Sequence, residues 1–171
     1  MSRRPLACAL LFALALLAAG CTAPAEDPAT GTNVSVSVTN EHASAQEVRI
    51  AVVTGEYDGI DLTYRNGSTR RVVGSNVSAI PPAALANVTD FAVRGDDVQR
   101  RSYRLTPGSG TGATYGVDGP ATVVYAYWPR GGERVTDYGQ LGCGQSNAVL
   151  DARLVIGANG SDSATVTCRG G

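Results

Sequence analysis

From Thr32 onward the apolar residues fall at every second position, and no stretch repeats them with the 3.6-residue period of a helix over three turns. Val34, Val36 and Val38 point one way, and Ser35, Ser37 and Thr39 the other, which predicts a half-buried strand. A polar cluster at 40–45 predicts a turn, and Val48, Ile50 and Val52 a second strand. Ile60, Leu62 and Tyr64 lead into Asn66-Gly67, with a further run at 68–73; Asn-Gly between two such runs is a strong hairpin signal. Pro81-Pro82 forces a break with extended backbone. Residues 88–93 and 98–105 read as weaker strands with Arg100, Arg101 and Arg104 solvated, and 107–112 as a loop. The run ATVVYAYW at 121–128 is apolar on both faces, as suits a central strand covered on both sides. Residues 148–156 and 161–168 flank Gly157-Ala158-Asn159-Gly160 as a last hairpin, whose second strand should turn Ala164, Val166 and Cys168 into the core. Short strands with frequent turns predict an all-β fold, an antiparallel β-sandwich of about seven to nine strands over residues 32–171.

The first 20 residues are of another kind. Arg3 and Arg4 precede an apolar run at 6–19, the basic and hydrophobic regions of a signal peptide. The run is too short for a transmembrane helix, which needs about 20 apolar residues. It ends in Ala18-Ala19-Gly20 directly before Cys21. Residues 22–31, TAPAEDPATG, cannot pack and read as a tether, so 21–31 forms a lipidated N-terminus and linker.

Leu17-Ala18-Ala19-Gly20-Cys21 resembles the lipobox of prokaryotic lipoproteins, with the leucine one place further from the cysteine than is usual. The resemblance implies cleavage before Cys21 and a diacylglycerol on its sulfur; two acyl chains anchor stably where one would not. Ser2-Arg3-Arg4-Pro5-Leu6 resembles the twin-arginine export signal, which implies a domain that folds before export. The expected address is the extracytoplasmic face of the cell membrane, reached through a lipid anchor.

Five of the seven asparagines lie in N-x-[ST] sequons: Asn33, Asn66, Asn76, Asn87 and Asn159. Chance pairing with the chain's Ser and Thr would give about one. N-glycosylation of an exported domain accounts for the excess, and so does the gathering of Asn, Gly, Ser and Thr in turns. Twin-arginine lipoproteins with sequons resemble those of halophilic archaea; a GC-rich bacterium is the alternative source, since this domain is less acidic than is usual for such archaea.

Of four cysteines, Cys8 leaves with the signal peptide and Cys21 takes the lipid. Cys143 and Cys168 remain as an even pair in an exported domain, for which a disulfide is the default. Two thiols without a CxxC spacing, and only His42 as an imidazole, do not make a zinc site. The sandwich resembles immunoglobulin-like folds only loosely, because this pair lacks their spacing around a Trp.

Evidence for chemistry is thin. All 14 basic residues are Arg, 12 of them after the signal peptide against 15 acids, a net −3 that does not suggest nucleic acid or an anionic surface as a partner. His42 sits in a polar turn without a second ligand, and no G-x-S-x-G elbow accompanies it. Gly108-Ser109-Gly110-Thr111-Gly112 resembles a phosphate loop only superficially, since a β-like segment and not a helix follows. Asp58 with Asp61, and Asp96 with Asp97, form no recognisable calcium loop. Tyr125 and Tyr127 read as core, and Trp128 as the aromatic nearest the surface. No catalytic residue, metal or cofactor is expected.

These residues fit a non-enzymatic binding or interaction module that contacts envelope proteins, glycans or a solute. An accessory subunit of a membrane complex or transporter would instead expose an apolar patch. A carboxylate- or metal-dependent hydrolase would gather two or more of Asp58, Asp61, Asp96, Asp97 and Asp118 in one pocket.

Overall fold

The computed structural model describes residues 32–132, 134–144, 148–158 and 161–169. The signal peptide with Arg3 and Arg4, the lipid-bearing Cys21, the tether and Asn159 lie outside the described residues. Among the described residues eleven strands account for nearly all the regular structure: β1 Thr32–Asn40, β2 Gln46–Thr54, β3 Gly59–Tyr64, β4 Thr69–Val73, β5 Val88–Arg94, β6 Val98–Leu105, β7 Gly110–Val117, β8 Ala121–Pro129, β9 Asp137–Gly142, β10 Ala148–Ile156 and β11 Ser163–Arg169. Among the described residues the helical structure is two 3-10 turns, Val77–Ala79 and Pro82–Leu85, and no helix is long and apolar enough to cross a membrane.

The fold is an all-β sandwich. One sheet runs β11-β10-β1-β7 and the other β6-β2-β8-β9, four strands each. Alternation builds the core between them: Val34, Val36 and Val38 of β1 meet Val48, Ile50 and Val52 of β2, with Val123, Tyr125 and Tyr127 of β8 and Ala152, Leu154 and Ile156 of β10. The pairings within both sheets are antiparallel except β1 with β10, which run parallel in the register Ser35↔Asp151 to Asn40↔Ile156.

The two four-stranded sheets hold eight strands. A third sheet, β4-β3-β5, packs on the outer face of β2 and β8. Its Ile60, Leu62, Phe91 and Val93 share a second core with Ala51, Val53, Val124, Ala126 and Trp128. β8 therefore lies between two cores, which is why its sequence lacks a polar face. The extra sheet and β9, whose Gly- and Gln-bearing sequence carries little β signal, bring the strand count above the expected seven to nine.

Asn66-Gly67 does close the β3–β4 hairpin, in a geometry suited to its right-handed twist. Gly67 has φ +80° and donates its N–H to the Tyr64 carbonyl at 2.9 Å, while Tyr64 N–H reaches Ser68 O at 2.8 Å. Asn66 does not have positive φ, so the turn is a three-residue loop with a glycine bulge rather than a two-residue type I′ turn.

The glycine-rich run is a strand from Gly110 onward, not a loop as far as residue 112. A Cβ at Gly112 would stand 3.1 Å from the Val36 carbonyl, so glycine lets β7 lie close against β1. An extended edge strand turns its N–H groups alternately toward β1 and away from it, so they do not converge as a phosphate cradle requires.

Candidate functional site

The sandwich has two ends that differ in chemistry. At one, the chain enters β1, and Thr32 pairs with Val117 at the end of β7. Thr54, Asp96, Asp97, Gln99 and Asp118 line an open depression of about 330 Å³ at this end. At the other end Asn40, fully buried, joins three turns. Its Nδ2 donates to Ser44 O (3.0 Å), Leu105 O (3.2 Å) and Thr106 O (3.1 Å), and its Oδ1 accepts from His42 N–H at 3.1 Å. His42 Nδ1 in turn accepts the Ser44 N–H at 3.1 Å and lies 2.9 Å from the Ser44 hydroxyl. His42 is thus half-buried in its own turn rather than free in solvent.

Cys143 and Cys168 are disulfide-bonded, with Cα atoms 5.7 Å apart. Cys143 follows β9 and Cys168 lies on β11, edge strands of the two facing sheets, so the bond clamps one side of the sandwich. Cys168 shares the inward side of β11 with Ala164 and Val166, but it stands at the rim and is exposed, not in the core as its alternation predicts. A bulge between Val149 and Asp151 places it opposite Val149, next to the open edge.

The sequons divide cleanly from the rest. Asn33, Asn66, Asn76 and Asn87 are exposed, whereas Asn40, the one described asparagine outside a sequon, is 0% exposed. Asn66 and Asn87 line one depression with Tyr64 and Arg65.

The acidic residues are scattered. Asp61 is buried on the middle strand of the third sheet and held by two guanidiniums, Arg71 Nε at 2.8 Å and Arg94 Nε at 2.7 Å. The Arg71 hydrogen bond, then that of Arg94, outweighs burial and keeps the carboxyl below the usual range. Asp61 is therefore committed to joining β3, β4 and β5, and does not pair with Asp58 on a cation. Asp96, Asp97 and Asp118 do come together, yet among the described residues no group of three His, Cys, Asp or Glu could hold a metal ion.

The aromatic strand ends differently from its sequence expectation. Trp128 is 2% exposed, with the Arg49 guanidinium 5.2 Å from its ring centroid, and Arg49 is fixed by Asp90 at 2.7 Å. The third sheet covers this ring, and nothing in the local sequence announces that layer. Tyr125 and Tyr127 face the main core as expected; Tyr125 donates to Asp137 at 3.4 Å and Tyr127 to Asp162. Burial, reinforced by Asp137, pushes the Tyr125 phenol up to about 12, and burial with Asp162 raises Tyr127 as well. Arg100, exposed as expected, is also engaged: it donates through Nε to the Val93 carbonyl at 2.8 Å and blocks the open edge of β5. Arg49, Asp137 and Asp162 carry these contacts without a local sequence signal.

The fold defines a small all-β sandwich domain with an inter-sheet disulfide. The sequence matches no family model and no curated protein. Among solved structures the domain is similar to the T6SS lipoprotein TssJ1 from Pseudomonas aeruginosa, at 9% identity and a TM-score of 0.42, over 82% of this chain and 98% of that one. That likeness is too low to transfer a partner or a role.

Proposed function

We propose that the protein is an extracytoplasmic lipoprotein, anchored through Cys21 and carrying N-linked glycan, whose sandwich serves without catalysis as a binding or interaction module. The observation that supports it most is the disulfide between Cys143 and Cys168, since such bonds persist in oxidising compartments outside the cytosol. The exposure of the described sequon asparagines fits the same address. The tether joins the domain beside Thr32, so the end organised by Asn40 is the one offered to partners. Loops held by a rigid scaffold are the usual place for recognition.

The test is an intact mass of the protein from its own host, with and without deglycosylation, and after thiol alkylation without reduction. Lipid on Cys21, sugar, and no alkylated thiol support the reading. A chain that starts at Met1, or free thiols at Cys143 and Cys168, overturns it. A photo-crosslinker at Ser109 should then capture neighbours that the same probe at Asp118 does not.

An accessory-subunit role lacks its expected patch: among the described residues Val73, at 76%, is the large apolar side chain left exposed. A hydrolase is the second reading, favoured by the depression that holds Asp96, Asp97 and Asp118. Hydrolysis of envelope glycans that disappears in both Asp96→Asn and Asp118→Asn, with the fold intact, would put it first.

A further inference from the structure

We propose that the folded domain accepts glycan at Asn66 and Asn76, and that Asn33 and Asn87 accept it only on a chain that has not yet folded. The proposal rests on the glycoprotein reading above and adds to it which sites the fold permits. In N-glycosylation the asparagine Nδ2 attacks the anomeric carbon of a lipid-phosphate-linked oligosaccharide. The N–C bond forms, the C–O bond to phosphate breaks, the lipid phosphate leaves and Nδ2 gives up a proton. The acceptor is a triplet, so a transferase must reach the amide and the hydroxyl two places on together.

Two triplets present both groups from a turn. Asn66, Gly67 and Ser68 are all exposed at the tip of the β3–β4 hairpin. Ser68 donates to Asn66 Oδ1 through its N–H at 3.0 Å and its hydroxyl at 2.7 Å. Asn76 precedes the first 3-10 turn, and Ser78 donates to its Oδ1 in the same way, at 2.9 and 2.8 Å. Each is an Asx turn that folds the hydroxyl back onto its own asparagine. Two hydrogen bonds onto Oδ1 polarise the amide and favour loss of the Nδ2 proton.

The other two triplets are locked. Asn33-Val34-Ser35 lies in β1, a central strand. Val34 is 0% exposed, and Ser35 is paired with Thr114 on one side and Asp151 on the other. Seating this triplet in an enzyme means pulling β1 from its sheet. Asn87-Val88-Thr89 has its middle residue at 0% exposure, but Val77 of the Asn76 triplet is buried too, at 6%, so what locks Asn87 is its backbone and the placing of the hydroxyl. Asn87 stands at φ 60°, its carbonyl accepts Arg65 N–H at 2.8 Å, and the Thr89 hydroxyl is turned away to donate to Thr63 O at 3.2 Å. Asn87 also shares its depression with Asn66, so a sugar on Asn66 covers it.

The pattern of occupied sites thus records the state in which the chain met the transferase. A domain exported folded, as the paired Arg3 and Arg4 imply, should carry sugar at Asn66 and Asn76 and none at Asn33 and Asn87. Site-resolved mass spectrometry of the full-length protein from its own host reads this directly. Synthetic peptides spanning each triplet, incubated with membranes of the same host, form the control, and all four should be modified. Sugar on Asn33 to the same extent as on Asn66 overturns the sorting and leaves the glycoprotein reading standing. Sugar at no site overturns both. Refusal of the Asn33 and Asn87 peptides would assign the pattern to local sequence and overturn the role of the fold.

Discussion

Cys143 and Cys168 tie the edge of one sheet to the edge of the sheet that faces it, across a sequence separation of 25 residues. Closing a loop of that length removes denatured-state entropy worth about 3.5 kcal/mol in the chain-entropy model. Both main-core sheets are complete without the bond, because the apolar residues of β1, β2, β8 and β10 make the core. The double variant Cys143→Ser, Cys168→Ser should therefore keep its circular dichroism spectrum and lose about 3 kcal/mol in urea unfolding. A variant that is unfolded in water would show that the bond is needed to form the sandwich, which conflicts with folding before export.

Asp61 gives the third sheet a pH dependence of definite sign. Its carboxyl is held below the usual range chiefly by Arg71, so the folded chain favours the ionised form more than the unfolded chain does. The resulting stability is present in full above the ordinary carboxylate pKa, about 4, and is lost as pH falls through the lower folded value. Both arginines are about half exposed, so water compensates them when the acid goes. Asp61→Asn should cost on the order of 1–2 kcal/mol at neutral pH and flatten the acid limb of the stability curve. An unchanged acid limb in the variant would show that the cross-strand ion pairs contribute nothing.

The sequence discloses the sandwich and hides the layer on its back. Val34, Val36 and Val38 announce β1 because one face of that strand is dry and the other wet, and Asn66-Gly67 announces a hairpin because its turn requires a glycine. Trp128 misleads for the converse reason. A residue at a strand end before Pro129 reads as exposed, and only the third sheet and Arg49, far from it in sequence, make it buried. Cys168 misleads because alternation gives a face and not a distance from the edge. The sequons were legible as motifs, but their sorting was not: whether Ser68 or Thr89 turns its hydroxyl toward or away from its asparagine depends on tertiary backbone geometry.

Trp128 is the sole tryptophan, which makes its burial directly observable. With 2% exposure and the Arg49 guanidinium over its face, its emission should be blue-shifted and resist acrylamide quenching. Arg49→Ala removes a lid that is itself anchored on Asp90. The variant should lose about 1 kcal/mol and become measurably more quenchable. Quenching of the parent protein at the rate of free indole would contradict the placement of the third sheet.

Asn40 should be among the least replaceable polar residues. It is fully buried, and one side chain holds Ser44, Leu105, Thr106 and His42. Asn40→Ala removes the donor to the Ser44 and Leu105 carbonyls and the acceptor of the His42 N–H, while Thr106 O keeps the Ser109 N–H and hydroxyl. Each lost partner costs about 1 kcal/mol or more where water cannot replace it. We expect a loss of about 2–4 kcal/mol with faster hydrogen exchange in the 40–45 and 105–109 turns. If those turns keep their protection in the variant, the backbone and not Asn40 organises that end.

The buried phenols set the alkaline limit. Burial holds Tyr115, Tyr125 and Tyr127 above the ordinary phenol value, Tyr125 at about 12, so the folded chain favours their neutral forms. The unfolded chain ionises its phenols near pH 10, so their contribution is complete below that pH and is lost as pH rises from there through the folded values. Stability should fall steeply above about pH 10, with tyrosinate absorbance from these residues appearing together with unfolding and not ahead of it. Tyr127→Phe removes one such group and its hydrogen bond to Asp162, while Asp162 keeps the Gly157 N–H at 2.8 Å. That variant should cost about 1 kcal/mol at neutral pH and unfold at a higher pH relative to its own neutral stability. A parallel alkaline limb in parent and variant would mean that Tyr127 titrates in the folded chain, reached by solvent through the rim beside β11.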